Sequence, residues 1–177
     1  MNKFFTVLVS LLFLTAATTS VNAQTKRSNT GKNYLLGANL ILANPVGTLS
    51  EDYKTGFGIE GMGGIKANDQ LYVTATLGYV NFPNEEFYNN FGNISVTSIK
   101  GGLRYYATEN VFLSGNAGVG FAKDEVEPRS YGRFIGDIGG GIHFGLVQAG
   151  LYYEGRKKIF SEGFSNSVHV KLGIAIR

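Results

Sequence analysis

Cysteine is missing from all 177 residues. Its absence excludes disulfides, thiolate metal centres, cysteine nucleophiles and a lipid-anchored N-terminal cysteine. Tryptophan is also missing, and there are only three prolines. The 25 glycines follow no Gly-X-Y period, which excludes collagen. Charge is sparse, at 16% of residues, and the formal net charge of +3 is too small to point to a nucleic-acid partner. With 44% hydrophobic residues, the chain is nevertheless too apolar for disorder. Beyond the N-terminal stretch, no run of apolar residues is long enough for a helical membrane span.

What is present begins with an address. Lys3 gives a positive start, Phe4 to Ala17 is mostly apolar and uncharged, and Val21-Asn22-Ala23 offers small residues for cleavage before Gln24. This reads as a cleaved signal peptide over 1–23. A membrane-anchor helix fits less well, because Thr18, Thr19 and Ser20 close the run short of the ~20 residues a span needs. Residues 24–32 read as a polar leader, and 33–177 as one domain.

From Asn33 onward the apolar residues alternate with small or polar ones, the period of a strand with two unlike faces. Leu71, Val73, Ala75, Leu77 and Tyr79 form one row; Tyr72, Thr74, Thr76 and Gly78 form the other. The pattern predicts strands over 33–43, 55–66, 71–80, 95–107, 111–121, 131–144, 146–155 and 165–177. Most are longer than a soluble strand and match the ~9–11 residues of a tilted membrane-crossing strand. The connections alternate. Those at 44–54, 81–94, 122–130 and 156–164 are long, whereas 67–70, 108–110 and the turn at Gly145 are short. That rhythm predicts an all-β, eight-stranded, antiparallel up-and-down transmembrane barrel with one elaborated rim.

Orientation is set by charge. Glu60, Lys66, Lys100, Arg104, Arg133, Asp137, Glu154, Lys171 and Arg177 all fall on the polar row of their strands. A soluble lipocalin-like barrel binding an apolar ligand would turn that row to water. The row is instead rich in glycine, which suits a cramped interior better than a solvated surface. The apolar row carries no charge in any strand, as a lipid-facing surface requires. Backbone groups in hydrocarbon need internal partners, so the sheet must close. Tyr34, Phe57, Tyr79, Phe82, Tyr105, Phe121, Phe134, Phe144 and Tyr153 lie near strand ends, where interfacial aromatic girdles are expected.

With these features the chain resembles the small outer-membrane β-barrels of the OmpA/OmpX type, most of all the Gly- and Tyr-rich barrel-domain proteins of Bacteroidetes-like bacteria. The resemblance covers the whole predicted mature chain. It implies a monomer in the bacterial outer membrane, in contact with its lipids and lipopolysaccharide and inserted by the barrel-assembly machinery. Lys171, Gly173, Ile174 and Ile176 look like that family's C-terminal assembly signal, with Arg177 replacing the terminal aromatic.

Chemistry is thin by comparison, and no cofactor, metal or enzyme activity is expected. Gly56 to Gly61 spells G-x-G-x-x-G, but inside a strand with no helix after it. The only histidines are His143 and His169, too few for a zinc site. Ser167 and His169 share a face, yet the order is the reverse of the His-x-Ser of barrel lipid A deacylases, so a lipid A-modifying enzyme is the weaker rival. The sequence predicts a lumen ion network of Glu60, Lys100, Arg104, Arg133, Asp137, Glu154 and Lys171, since buried charges must be paired. Arg156-Lys157-Lys158 would open the last long loop and contact lipopolysaccharide phosphates. The aromatic loop at 81–94 is a candidate surface-contact tip. The functional expectation is a structural or surface-interaction barrel with at most minor solute passage.

Overall fold

The computed structural model describes residues 33–47, 49–84, 93–124, 130–158 and 164–177. The predicted signal peptide and leader lie outside the described residues. Eight strands form a closed antiparallel barrel: β1 (Tyr34–Val46), β2 (Gly56–Lys66), β3 (Leu71–Phe82), β4 (Ile94–Tyr106), β5 (Val111–Asp124), β6 (Ser130–Phe144), β7 (Val147–Lys158) and β8 (Phe164–Ile176). Each pairs with its sequence neighbour, and β8 closes on β1. Partners followed once around run from Leu36 through Gly63, Ala75, Gly101, Ala117, Gly136, Gly155 and Asn166. They return to β1 at Val46, ten residues further along. A stagger of that size accompanies a strand tilt of about 35–45°.

The short connections are built by side chains that replace the missing ladder. Asn68 Oδ1 accepts from the backbone N–H of Gln70 and Leu71, both at 2.9 Å, and Thr108 Oγ1 accepts from Asn110 and Val111 at 3.2 and 3.0 Å. Gly145 adopts φ 59° in the two-residue turn between β6 and β7, a conformation only glycine takes freely.

At the long-loop end the strands run further than the alternation predicts. β1, β3, β5 and β7 reach Val46, Phe82, Asp124 and Lys158 rather than Ala43, Val80, Phe121 and Gly155. The reason is that Asn44, Asn81, Lys123 and Lys157 take over the outward row there. Backbone pairing continues after the apolar pattern has ended. The β1–β2 connection also holds a single helical turn, α1 (Leu49–Asp52), which the sequence pattern did not disclose. The same connection is tied to the two residues after β3 by a Tyr53–Asn84 bridge and by Lys54 N–H donating to Pro83 O at 2.9 Å.

The apolar row faces outward. Leu40, Ile59, Ile65, Leu77, Ile99, Leu113, Ile138, Leu172 and Ile174 are all exposed, while Lys100, Arg104, Asp137, Glu154 and Lys171 are buried. A soluble barrel with an apolar cavity would be the reverse, so the lipocalin-like rival does not fit. Of the predicted girdle aromatics, Phe57, Tyr79, Tyr105, Phe121, Phe134, Phe144 and Tyr153 are exposed on that outer face, as is Tyr34. Phe82 is a correction: it is fully buried and points inward. Its position has the parity of Tyr72 rather than of Tyr79.

Glycine is used differently on the two faces. Inward glycines sit where strands press together: a Cβ on Gly118 would strike the Ile99 carbonyl, and one on Gly173 the Ala38 carbonyl. Outward Gly61 has nothing within 4 Å of that position. Gly63, Ala75, Gly101, Ala117, Gly136 and Gly155 share one register row across six strands.

Candidate functional site

The lumen is filled in three layers. Near the short-turn end, Leu35, Met62, Tyr72, Tyr106, Phe112, Tyr152 and Ala175 pack together. Tyr106 anchors the layer, with its ring 5.8 Å from those of both Tyr72 and Phe112 and its hydroxyl 3.1 Å from His143 Nδ1. Near the long-loop end, Ile41, Ala43, Val80, Phe82, Val96, Ala122 and Ile135 form a second apolar layer, with Tyr53 and Ile94 packed against it. The charges lie between.

The central layer is built so that every carboxylate oxygen meets a donor. Lys100 Nζ donates to Asp137 Oδ2 at 2.5 Å and to Glu154 Oε2 at 2.9 Å. Lys171 Nζ donates to both oxygens of Glu60, at 2.9 and 2.7 Å, and lies 4.2 Å from the centre of the Tyr152 ring. Asn116 Nδ2 serves the second Asp137 oxygen at 2.6 Å, and Arg156 Nε the second Glu154 oxygen at 2.8 Å. Asn39 donates to Glu60 at 3.2 Å and accepts from Gln148 at 2.7 Å. These bonds cross the barrel. Lys171 reaches from β8 past β1 to β2, and Gln148 from β7 past β8 to β1, so both span the seam where the first and last strands meet.

Of the residues the sequence nominated, Glu60, Lys100, Asp137, Glu154 and Lys171 meet in this layer. Arg104 and Arg133 do not. Arg104 is buried below it, donating to Gln148 Oε1 at 2.8 Å and Tyr152 Oη at 3.3 Å and lying over the Phe112 ring. Arg133 sits near the long-loop mouth, with Nη1 3.4 Å from Ser165 Oγ. Arg156 is a correction: it does not open a loop but lies in β7, turned inward. It is 2% exposed, stacked on Phe82 and bonded to Glu154 and, at 3.0 Å, to Ser167. Lys157 is exposed on the outer face of β7; the side chain of Lys158 lies outside the described residues. Of the aromatic loop at 81–94, residues 85–92 lie outside them too.

The lumen residues the sequence does not nominate are Asn39, Asn116 and Gln148, and Arg156, which it nominates only as a loop contact. The first three have the inward parity of the nominated charges and could have been found by extending the row. Arg156 has it as well, but it lies just past the predicted end at Gly155, which is three residues short of the observed one.

Ser167 and His169 touch, with Oγ 2.8 Å from Nε2. In a nucleophile relay the acid binds the other ring nitrogen. Here the Glu154 carboxylate approaches the same Nε2, at 3.8 Å, and Nδ1 has no partner. Both residues are buried, at 0% and 1% exposure. The pair is part of the lumen packing. Gly56 to Gly61 lies within β2 and opens no helix.

No protein-family model and no curated protein matches this sequence. Solved structures do. The N-terminal β-barrel domain of Pseudomonas aeruginosa OprF superposes with a TM-score of 0.59 at 12% identity, covering 82% of this chain and 99% of that one. The fold is that of the small outer-membrane barrels. Ail, the attachment invasion locus protein of Yersinia pestis, gives a TM-score of 0.54 at 17% identity over 81% of this chain and 96% of its own. Neisserial surface protein A gives 0.54 at 13% identity over 82% and 97%. In such a barrel the outward apolar row is the lipid-facing one. The C-terminal residues can then be placed: Ile174 and Ile176 face outward, while Arg177 turns under the barrel, 4.0 Å from the centre of the Tyr106 ring, with a bond to the Glu109 carbonyl.

Proposed function

We propose that this protein is a monomeric outer-membrane barrel that acts through its structure and its surface, not as an enzyme or a channel. The observation that carries this reading is the layered lumen. A conducting path needs a continuous wet route. The paired charges at the centre are instead covered at each end by apolar side chains, and eight strands leave little room beyond them. The test is electrical. Purified protein in planar bilayers is expected to leave the conductance at the lipid baseline, and stable ohmic steps that scale with protein inserted would overturn the proposal.

The surface partner best supported is lipopolysaccharide. Lys123 and Lys157 are exposed on the outer face at the long-loop end, Lys123 two residues past Phe121 and Lys157 directly across from Phe134. Cations just past an aromatic girdle suit headgroup phosphates, each adding on the order of 1 kcal/mol near an anionic surface. Charge reversal in Lys123→Glu/Lys157→Glu is expected to reduce lipopolysaccharide co-purifying with the folded barrel at least several-fold. Unchanged lipopolysaccharide would remove this contact from the proposal.

A further inference from the structure

Among the described residues, the buried charged side chains are Lys100, Arg104, Arg156 and Lys171 against Glu60, Asp137 and Glu154: four cations and three carboxylates. The central layer is already neutral without Arg104. Its three carboxylates are shared among Lys100, Lys171 and Arg156, and all six of their oxygens are engaged. Arg104 therefore has no carboxylate to borrow. No acidic side chain among the described residues lies within ion-pair distance of it.

Arg104 is 2% exposed. Its two terminal nitrogens donate to neutral acceptors, and Phe112 lies 4.1 Å from the guanidinium carbon. These contacts hold the guanidinium but do not cancel its charge. Its Nε–H meets no acceptor among the described residues. A buried cation with a free donor and no counter-charge is strongly disfavoured in a low-dielectric interior. Guanidinium also does not escape by losing its proton.

We propose that the lumen holds one small monovalent anion, a halide, on Nε of Arg104, between the charged layer and the aromatic layer at the short-turn end. The chemical class follows from charge and from packing. One negative charge completes the balance. Arg104 has inward-facing neighbours on both sides, its register partners Tyr72 on β3 and Ser114 on β5, and Phe112 covers its face. A monatomic ion is the anion such surroundings take. A divalent oxyanion would overshoot the charge and needs more donors than Nε supplies.

The full-length mature barrel, refolded from urea into detergent micelles, tests this directly. Unfolding is followed by the heat-dependent gel shift in sodium chloride and in sodium gluconate of equal ionic strength, so that screening is matched. A site that binds only the folded barrel raises its folded-to-unfolded ratio by about 1 + [L]/Kd, or about 100-fold at 100 Kd. The midpoint is expected to rise saturably with added chloride or bromide, and Arg104→Gln is expected to abolish that dependence. Arg104→Lys keeps the charge without the Nε donor, so it is expected to need more halide for the same rise if Arg104→Gln fails to fold. Crystals grown in bromide are expected to show an anomalous peak in hydrogen-bonding range of Arg104 Nε. Equal midpoints in chloride and gluconate, or a water without anomalous signal at Nε, would overturn the proposal.

Discussion

Replacing Lys100 with methionine is expected to lower the free energy of unfolding by about 3–5 kcal/mol, the usual consequence of removing one partner from a buried ion pair. Lys100 is 3% exposed and lies within ion-pair distance of three carboxylates, Asp137 on β6 and Glu154 on β7 most closely and Glu60 on β2 at 3.7 Å. Methionine has similar length and no charge, so the loss is electrostatic rather than a cavity. Asp137 keeps only Asn116, and Glu154 keeps only Arg156, with two negative charges left facing one cation. Adding Asp137→Asn to Lys100→Met rebalances the layer, and the double variant is expected to recover a large part of the loss. Urea titrations of refolded protein in lipid vesicles compare both variants with the parent. A Lys100→Met variant within about 0.5 kcal/mol of the parent, the range of an ordinary surface change, would mean that the layer is not electrostatically closed.

The second large effect is expected on the opposite face. Leu77→Arg places a charge in the middle of the outward row of β3, between Gly61 on β2 and Ile99 on β4. If that row meets hydrocarbon, the cost is about 2–4 kcal/mol near the midplane and falls to about 0–1 near an interface. Phe121→Arg, close to the long-loop end of β5, is the internal comparison. Leu77→Arg is expected to destabilise clearly more than Phe121→Arg in vesicles. In a water-facing sheet both would be nearly neutral, since Leu77 is 62% exposed and Phe121 51%. The depth gradient therefore tests the lipid-facing assignment itself.

Strand number, order and facing were legible because a period of two survives wherever one row meets lipid and the other is packed inside. Leu71 to Tyr79 shows this at its plainest. Legibility ended where the outer row left the apolar belt. At Asn44, Asn81, Lys123 and Lys157 the backbone still pairs while the side chains have turned polar, and that is how Arg156 came to be read as a loop residue. Charge parity located the lumen residues but could not partner them. Pairing across the barrel depends on the ten-residue stagger, which brings Lys171 to Glu60 and leaves Arg104 below the carboxylates. The sealing layers were equally hidden. Tyr72, Phe82, Tyr106, Phe112 and Tyr152 occupy polar-row positions, and only the closed structure shows that they gather at the two ends of the lumen.

Because the chain has no tryptophan, a single introduced indole reports its surroundings without background. The decisive measurement is fluorescence of Leu77→Trp, Leu172→Trp and Phe82→Trp in vesicles whose acyl chains carry bromine. Strong quenching at 77 and 172 with little at 82 is the result this account requires. Quenching at 82 with none at 77 or 172 would mean that the barrel's faces are assigned the wrong way round.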